Sequence, residues 1–133
     1  MEYQEFITHV QSLSQSTSLE EAEVATRATL ATIKERIADS DIQDLAAQLP
    51  QELSHYLQDQ TPASSQTFNL QEFIHRVSQK ENIAPTTTAI HVRAVFAVLQ
   101  NAMKPETFSR FQAHFTHDYE ELFAAPPTSE VTA

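Results

Sequence analysis

One short stretch of the second half carries the residue types that could bind a metal ion. Two histidines and two acidic residues follow one another at helical spacing: His114, His117, Asp118 and Glu121. On a continuous helix these positions share one face, so they could present two imidazoles and two carboxylates to one ion. The equivalent stretch of the first half breaks at Pro50, however. This predicts a helix boundary between the two histidines and favours a capped turn with solvated histidines.

Two arginines are the next candidates, because Arg27 and Arg93 occupy equivalent places in a chain with only 8 basic residues. Repeated arginines could bind an anionic ligand. An internal role is favoured, since a guanidinium binds a carboxylate through two parallel hydrogen bonds. We expect Arg27 to pair with Glu5 and Arg93 to pair with Glu72. Each pair would hold the second helix of one half against the first.

An aromatic cluster is the third candidate. Phe108, Phe111 and Phe115 fall at helical spacing in one short segment, and a stripe of this kind is typical of core packing. Three phenylalanines can exceed what one inward face buries, which predicts a partly exposed patch. We take these three as tentative partner-binding residues. His91 is interpreted as a semi-buried histidine rather than as a catalytic one.

The elements that position these residues are predicted from an internal repeat. Residues 3–10 return as residues 70–77, with Gln-Glu-Phe-Ile in common. In the next helix, the inward positions return at an offset of 66 residues, as from Leu30 to Phe96 (96 − 30). Each copy should hide part of its apolar face against the other, so we expect the two halves to form one body.

The predicted fold class is all-α, with two tandem copies of a three- to four-helix unit. The copies could pack face to face around a quasi-twofold axis or stack as a short solenoid. We assign residues 1–58 to the first repeat, 59–68 to a linker, 69–125 to the second repeat and 126–133 to a disordered tail. The sequence contains no glycine, which excludes glycine-rich phosphate-binding loops and favours helices joined by short turns.

Bulk composition narrows the choice of partner and compartment. The 18 acidic and 8 basic side chains leave a net charge of −10, which repels nucleic acid and anionic membrane surfaces. Residues 1–66 carry −8 (3 − 11) and residues 67–133 carry −2 (5 − 7), so a basic partner would prefer the first half. Cysteine, a secretory signal and an apolar stretch of bilayer length are all missing from the sequence, which predicts a cytoplasmic protein.

Several short patterns of the first half occur together. They are Phe6-Ile7, Ala22 and Ala25 before Arg27-Ala28-x-Leu30, and Asp44-Leu45-Ala46-Ala47-Gln48-Leu49-Pro50 before Leu53 and Leu57. With these patterns the sequence resembles a bacterial family of two related halves, domain of unknown function 2267. In the second half, Phe115-Thr116 replaces Leu49-Pro50. The resemblance implies an all-helical bacterial protein, and it brings no activity, cofactor or catalytic residue.

Two functions remain open. The sequence has no recognisable catalytic constellation, which favours a non-enzymatic helical interaction or structural module that binds a protein partner or itself. No cofactor is expected. The alternative is a small-ligand or metal-binding protein that uses the groove between the repeats or the His114/His117 cluster. A polar cleft between the halves would favour this alternative, whereas an exposed apolar patch would favour the interaction module.

Overall fold

The computed structural model describes residues 2–14, 16, 18–37, 39–57, 68–115 and 117–123. Over these residues the structure is helical and contains no strand, which confirms the predicted all-α class. A 3₁₀ turn, His117–Tyr119, leads into the last helix. The helices in chain order are α1 (Tyr3–Ser14), α2 (Leu19–Arg36), α3 (Asp39–Ala46), α4 (Gln51–Leu57), α5 (Leu70–Glu81), α6 (Pro85–Ala102), α7 (Pro105–Gln112) and α8 (Glu120–Phe123).

Two of the helix starts are fixed by the side-chain caps that the sequence predicts. The hydroxyl of Ser18 accepts a hydrogen bond from the backbone N–H of Glu21 at 3.1 Å. The side-chain oxygen of Asn69 accepts one from the N–H of Glu72 at 2.9 Å. Each cap satisfies one of the amide groups that a first helical turn leaves without a partner. Helices α6 and α7 start differently, with a proline in the first turn, where no amide is needed.

The end of α5 requires a left-handed backbone, and asparagine supplies it in this glycine-free chain. Asn82 has φ of 60° and ψ of 44°, and its backbone N–H donates to the carbonyl of Ser78 at 2.7 Å. Asparagine tolerates this conformation better than most residues. The turn redirects the chain from α5 into α6 within a few residues.

The central helices α2 and α6 contact each other and organise the rest. Helix α1 packs on both of them, and so does α5. Helix α4 packs on α2, α8 packs on α6, and α3 contacts α7. One continuous apolar core draws on both halves, with Phe6 and Leu30 beside Phe73 and Phe96. The halves therefore form one body, as expected, and within the described ranges no helix is long and apolar enough to cross a membrane.

The aromatic cluster of the second half lies in this core. Phe108 is 6% exposed, Phe111 is 4% exposed and Phe115 is half-buried. The predicted partly exposed patch is therefore wrong for Phe108 and Phe111. The cause is a neighbouring set of rings, because Phe96 lies 5.8 Å from Phe111 and Tyr119 lies 4.8 Å from Phe115, between ring centroids. Edge-to-face and tilted ring contacts of this kind let several aromatic residues share one core.

The region between the halves differs from its prediction at one residue. Phe68, which the sequence places in the linker, is 9% exposed and belongs to the core. The rest of the predicted linker lies outside the described residues, as does the predicted tail of residues 126–133.

Candidate functional site

A buried histidine between two carboxylates is the most unusual polar arrangement of the structure. The side chain of His91 on α6 is 2% exposed. Its Nδ1 lies 2.9 Å from a carboxylate oxygen of Glu81 on α5, and its Nε2 lies 3.2 Å from one of Glu21 on α2. Thr88 donates its hydroxyl to the other oxygen of Glu81 at 3.1 Å. The cluster therefore joins three helices and both halves of the chain.

The geometry of the cluster favours the charged form of the imidazole. A neutral histidine has one N–H donor, whereas the imidazolium has two. Since both ring nitrogens face carboxylate oxygens, only the imidazolium can donate to both. The hydrogen bond to Glu81 raises the pKa of His91, the charges of Glu81 and Glu21 add to this effect, and burial opposes it.

The arrangement suits a structural ion cluster better than acid–base catalysis. A general base needs a nitrogen that can reach a substrate proton. Both nitrogens of His91 already contact carboxylates, and the ring is buried. Glu81 is buried as well, since its side chain is 1% exposed, whereas the side chain of Glu21 is 36% exposed and reaches solvent. The cluster can bind a proton and hold helices together.

A second buried cation lies near the other end of α2. Arg36 is 6% exposed, and its Nε donates to the carbonyl of Phe68 at 3.1 Å. The guanidinium carbon lies 5.8, 5.4 and 5.5 Å from the ring centroids of Phe68, Phe115 and Tyr119. Cation–π attraction of this kind is strongest where water is excluded. Burial raises the pKa of Tyr119 to about 12, so its hydroxyl stays a donor, and it donates to the same Phe68 carbonyl at 2.8 Å.

A third polar group links α2 to α5. Arg76 contacts Glu35 at 3.1 Å and Glu72 at 2.9 Å, and Lys80 contacts Glu35 at 3.0 Å. The hydrogen bond from Arg76 lowers the pKa of Glu72. These side chains are between one quarter and one half exposed, so each contact contributes modestly on its own.

The predicted arginine pairs are not the ones that the structure forms. Glu72 binds Arg76 in place of Arg93. Arg27 is exposed, and its guanidinium carbon lies 5.7 Å from the ring centroid of Tyr56, while Glu5 accepts a hydrogen bond from the backbone of Glu2. The prediction was wrong because Arg76, one helical turn after Glu72 on the same helix, reaches this carboxylate more directly.

The predicted metal-binding stretch does not form a continuous helix. Helix α7 ends at Gln112, His114 lies in the following turn, and the 3₁₀ turn begins at His117. The exposed His117 contacts Glu120 at 3.0 Å, and Asp118 accepts a hydrogen bond from the backbone N–H of Leu70 at 2.6 Å. The side chain of Glu121 lies outside what the structure describes. Among the residues that it does describe, no three histidine or acidic side chains gather as a metal site.

A concavity lies beside the first turns of α5. It measures about 600 Å³ and is wide open, and its lining residues are Phe68, Asn69, Gln71, Glu72 and His75. All of them come from one short segment. The concavity is therefore a feature of one half, unlike the cleft between the halves that the ligand-binding alternative predicts.

One family model matches nearly all of the helices described above. Residues 3–122 match the model of DUF2267, described as an uncharacterized conserved protein. The chain belongs to this family. The match spans α1 to α8 almost completely and includes both buried clusters. A search of curated proteins found no match to this DUF2267 chain.

Sequence reasoning missed the carboxylates around His91 in this DUF2267 protein. The position of Glu21, three residues after Ser18, indicates a helix start, and its backbone N–H does bond to the hydroxyl of Ser18. Glu81 stands 10 residues and Glu21 stands 70 residues from His91 in the chain, so no local spacing connects them. One signal was present, because His91 occupies an inward position of α6 where the first half has Ala25. A histidine on an inward face implies buried partners.

Proposed function

We propose that this DUF2267 chain is a non-enzymatic helical module of a bacterial cytoplasm, which acts by binding a protein partner or a second copy of itself. The observation that carries the proposal is that two buried ionisable side chains make their contacts within the chain. His91 contacts carboxylates of two other helices, and Arg36 contacts Phe68, Phe115 and Tyr119 of the same chain. Such contacts stabilise a scaffold, and they leave the rest of the surface for recognition.

We also propose that the scaffold is a tandem repeat with a quasi-twofold axis. Three helix pairs support this: α1 and α5 have 12 residues each, α2 and α6 have 18, and α3 and α7 have 8. The packing supports it too, because α1 and α5 both lie against α2 and α6. Helices of like position meet each other, α2 with α6 and α3 with α7. An axis between them would favour the face-to-face arrangement over a solenoid.

The charge of the chain favours a protein partner over nucleic acid. The net charge of −10 lies mostly in the first half, where Glu20 and Glu21 stand at the start of α2. Among the residues that the structure describes, the exposed large apolar side chains are Leu19, Ile83 and Ile90, at 43%, 37% and 49%. Exposed apolar residues beside acidic ones suit a partner surface that carries basic and apolar side chains. The lack of cysteine in the sequence suits a reducing compartment.

Affinity capture from a bacterial lysate tests the module, provided that a captured protein is purified and rebound. The variants Leu19→Ser and Ile90→Ser should weaken rebinding at least tenfold while the thermal midpoint stays unchanged. Gln100→Ser is the matched control, since Gln100 is also an exposed residue of α6. The proposal fails if two results occur together. Every captured protein binds Leu19→Ser and Ile90→Ser with the same affinity as it binds the original chain, and the purified chain is a monomer.

A small-ligand function has one structural feature in its favour, the concavity beside α5. Its lining offers amide, carboxylate and imidazole groups around Phe68. A screen of small polar metabolites by thermal shift tests this second candidate. A compound that raises the midpoint for the original chain, and fails to do so for His75→Ala, would favour ligand binding over the interaction module.

A further inference from the structure

The cluster around His91 has the parts of a proton-operated clasp. Its two carboxylates come from α2 and α5, which both pack on α6, and the distances of 2.9 and 3.2 Å leave no room for water between ring and oxygen. The ring must carry two protons to donate to both. When one proton leaves, the lone pair of that nitrogen faces a carboxylate, which is repulsive.

The two carboxylates differ in what they can do after the proton leaves. Glu81 is buried and also accepts the hydroxyl of Thr88, so its position is fixed from two sides. Glu21 reaches solvent, and it can turn outward and be hydrated. The remaining proton therefore stays between His91 and Glu81, and the contact between Glu21 and Nε2 of His91 breaks.

We propose that His91 is a pH-operated clasp between the two halves, which holds the first turn of α2 against α6 while it is protonated and releases that turn when it loses a proton. The only ligand that this change requires is a proton from solvent. This regulation goes beyond the proposed module function and does not depend on a binding partner.

The other ionisable side chains on the helices packed against α6 have different contacts or lie at the surface. Among the described residues none of them makes a hydrogen bond with the ring of His91. The exposed ones include Glu5 and His9 of α1 and Glu20 of α2, and Arg93 of α6 is half-buried. Tyr3 of α1 donates to Glu23, Lys80 of α5 pairs with Glu35, and Glu120 of α8 contacts His117.

The direction of the pH effect follows from the raised pKa of His91. A histidine with a raised pKa in the folded state binds its proton more tightly there than in the unfolded chain. Its contribution to stability is complete below the ordinary histidine value of about 6.5, and it is lost as the pH rises through the folded value. The clasp is therefore closed below the ordinary histidine value, and it opens as the pH rises through the raised pKa of His91.

Nuclear magnetic resonance of the full chain tests the clasp directly. We expect both ring nitrogens of His91 to be protonated at about pH 6, and we expect His91 to titrate above the ordinary histidine value of about 6.5. Above that pH, amide exchange at residues 22–25 of α2 should accelerate at least tenfold after division by the intrinsic exchange rate. Exchange in α4 should not follow. A His91 that titrates at or below the ordinary histidine value of about 6.5, or a titration of His91 that leaves α2 exchange unchanged, overturns the proposal.

Two matched variants sharpen the test. Glu21→Gln removes the releasable charge, so the titration of His91 should move to lower pH and the step in α2 exchange should disappear. Glu20→Gln removes a neighbouring exposed charge of the same turn and should leave both unchanged. Equal effects of the two variants would mean that general charge, rather than the clasp, governs the pH dependence. If Glu21→Gln fails to fold, the titration and exchange of the original chain still decide.

Discussion

Helices α2 and α6 have the same length and occupy central positions, yet they are built from different residues. Both end with a buried residue whose backbone N–H bonds to the carbonyl four residues earlier, at Ile37 and at Met103. Buried threonines of α2 correspond in sequence position to valines of α6, at the same offset of 66 residues (92 − 26). The pairs are Thr26 and Val92, Thr29 and Val95, and Thr32 and Val98.

This difference shows that two helices of the same length and position can be packed with polar side chains in one case and apolar side chains in the other. Threonine and valine are nearly the same size, so they fill the same space in the core, but each threonine brings a hydroxyl that needs a partner. Thr26 donates to the carbonyl of Ala22 at 2.8 Å, and Thr32 donates to that of Ala28 at 2.9 Å. Thr29 has no partner for its hydroxyl in the structure as described. Helix α2 relies on polar contacts where α6 relies on apolar bulk.

The largest expected effect is in the apolar core of α6. Replacement of Phe96 by alanine should lower the free energy of unfolding by about 3–5 kcal/mol, because it removes a ring that contacts both Phe73 and Phe111. Leu30→Ala, at the equivalent place in α2, is the comparison and should cost less. Urea denaturation measures both. An equal or larger loss for Leu30→Ala would contradict the view that aromatic packing makes α6 the stronger of the two.

The next effect concerns the buried cation of α2. Arg36 stands where α6 has Ala102, and Arg36→Ala should cost about 2–3 kcal/mol through the lost hydrogen bond and ring contacts. Arg36→Lys keeps the charge and loses the planar group, so it should recover less than half of that loss. Thermal and urea unfolding check both. Full recovery by lysine would mean that charge alone matters at this place.

A gain in stability is expected from Thr29→Val. The substitution removes a buried hydroxyl without a partner and copies the residue of α6, so the free energy of unfolding should rise by about 1–2 kcal/mol. Thr26→Val is the matched control, since the hydroxyl of Thr26 is bonded, and it should give no gain. Urea denaturation of the two variants separates the outcomes, and a gain shared by both would point to hydrophobicity in general.

The smallest effect is at the helix starts. Ser18 caps α2, whereas Ala84, at the equivalent place before α6, makes no side-chain cap. Ser18→Ala should cost about 1 kcal/mol, and Ala84→Ser should add about 0.5–1 kcal/mol. Calorimetry of the single variants measures these changes. A loss of stability in Ala84→Ser would show that Pro85 already fixes this turn in a way that a cap disturbs.

The sequence was sufficient for the elements that depend on local signals. The caps at Ser18 and Asn69 and the proline start of α7 can be predicted from the sequence, because each depends on residues within one helical turn. The burial of Phe108 and Phe111 cannot be predicted in this way, since it depends on contacts with another helix, such as that between Phe96 and Phe111. The cluster of His91 was missed for the same reason, because its carboxylates come from two other helices.

The anchoring of Phe68 has a consequence for the connection between the halves. Its carbonyl accepts hydrogen bonds from both Arg36 and Tyr119, and its ring lies 4.0 Å from the guanidinium carbon of Arg76. The start of the second half is thus docked on the first by contacts that do not involve residues 58–67. The entropy cost of a longer connection grows only slowly with its length. We therefore expect a peptide inserted at this place to have little effect on the body that the halves form.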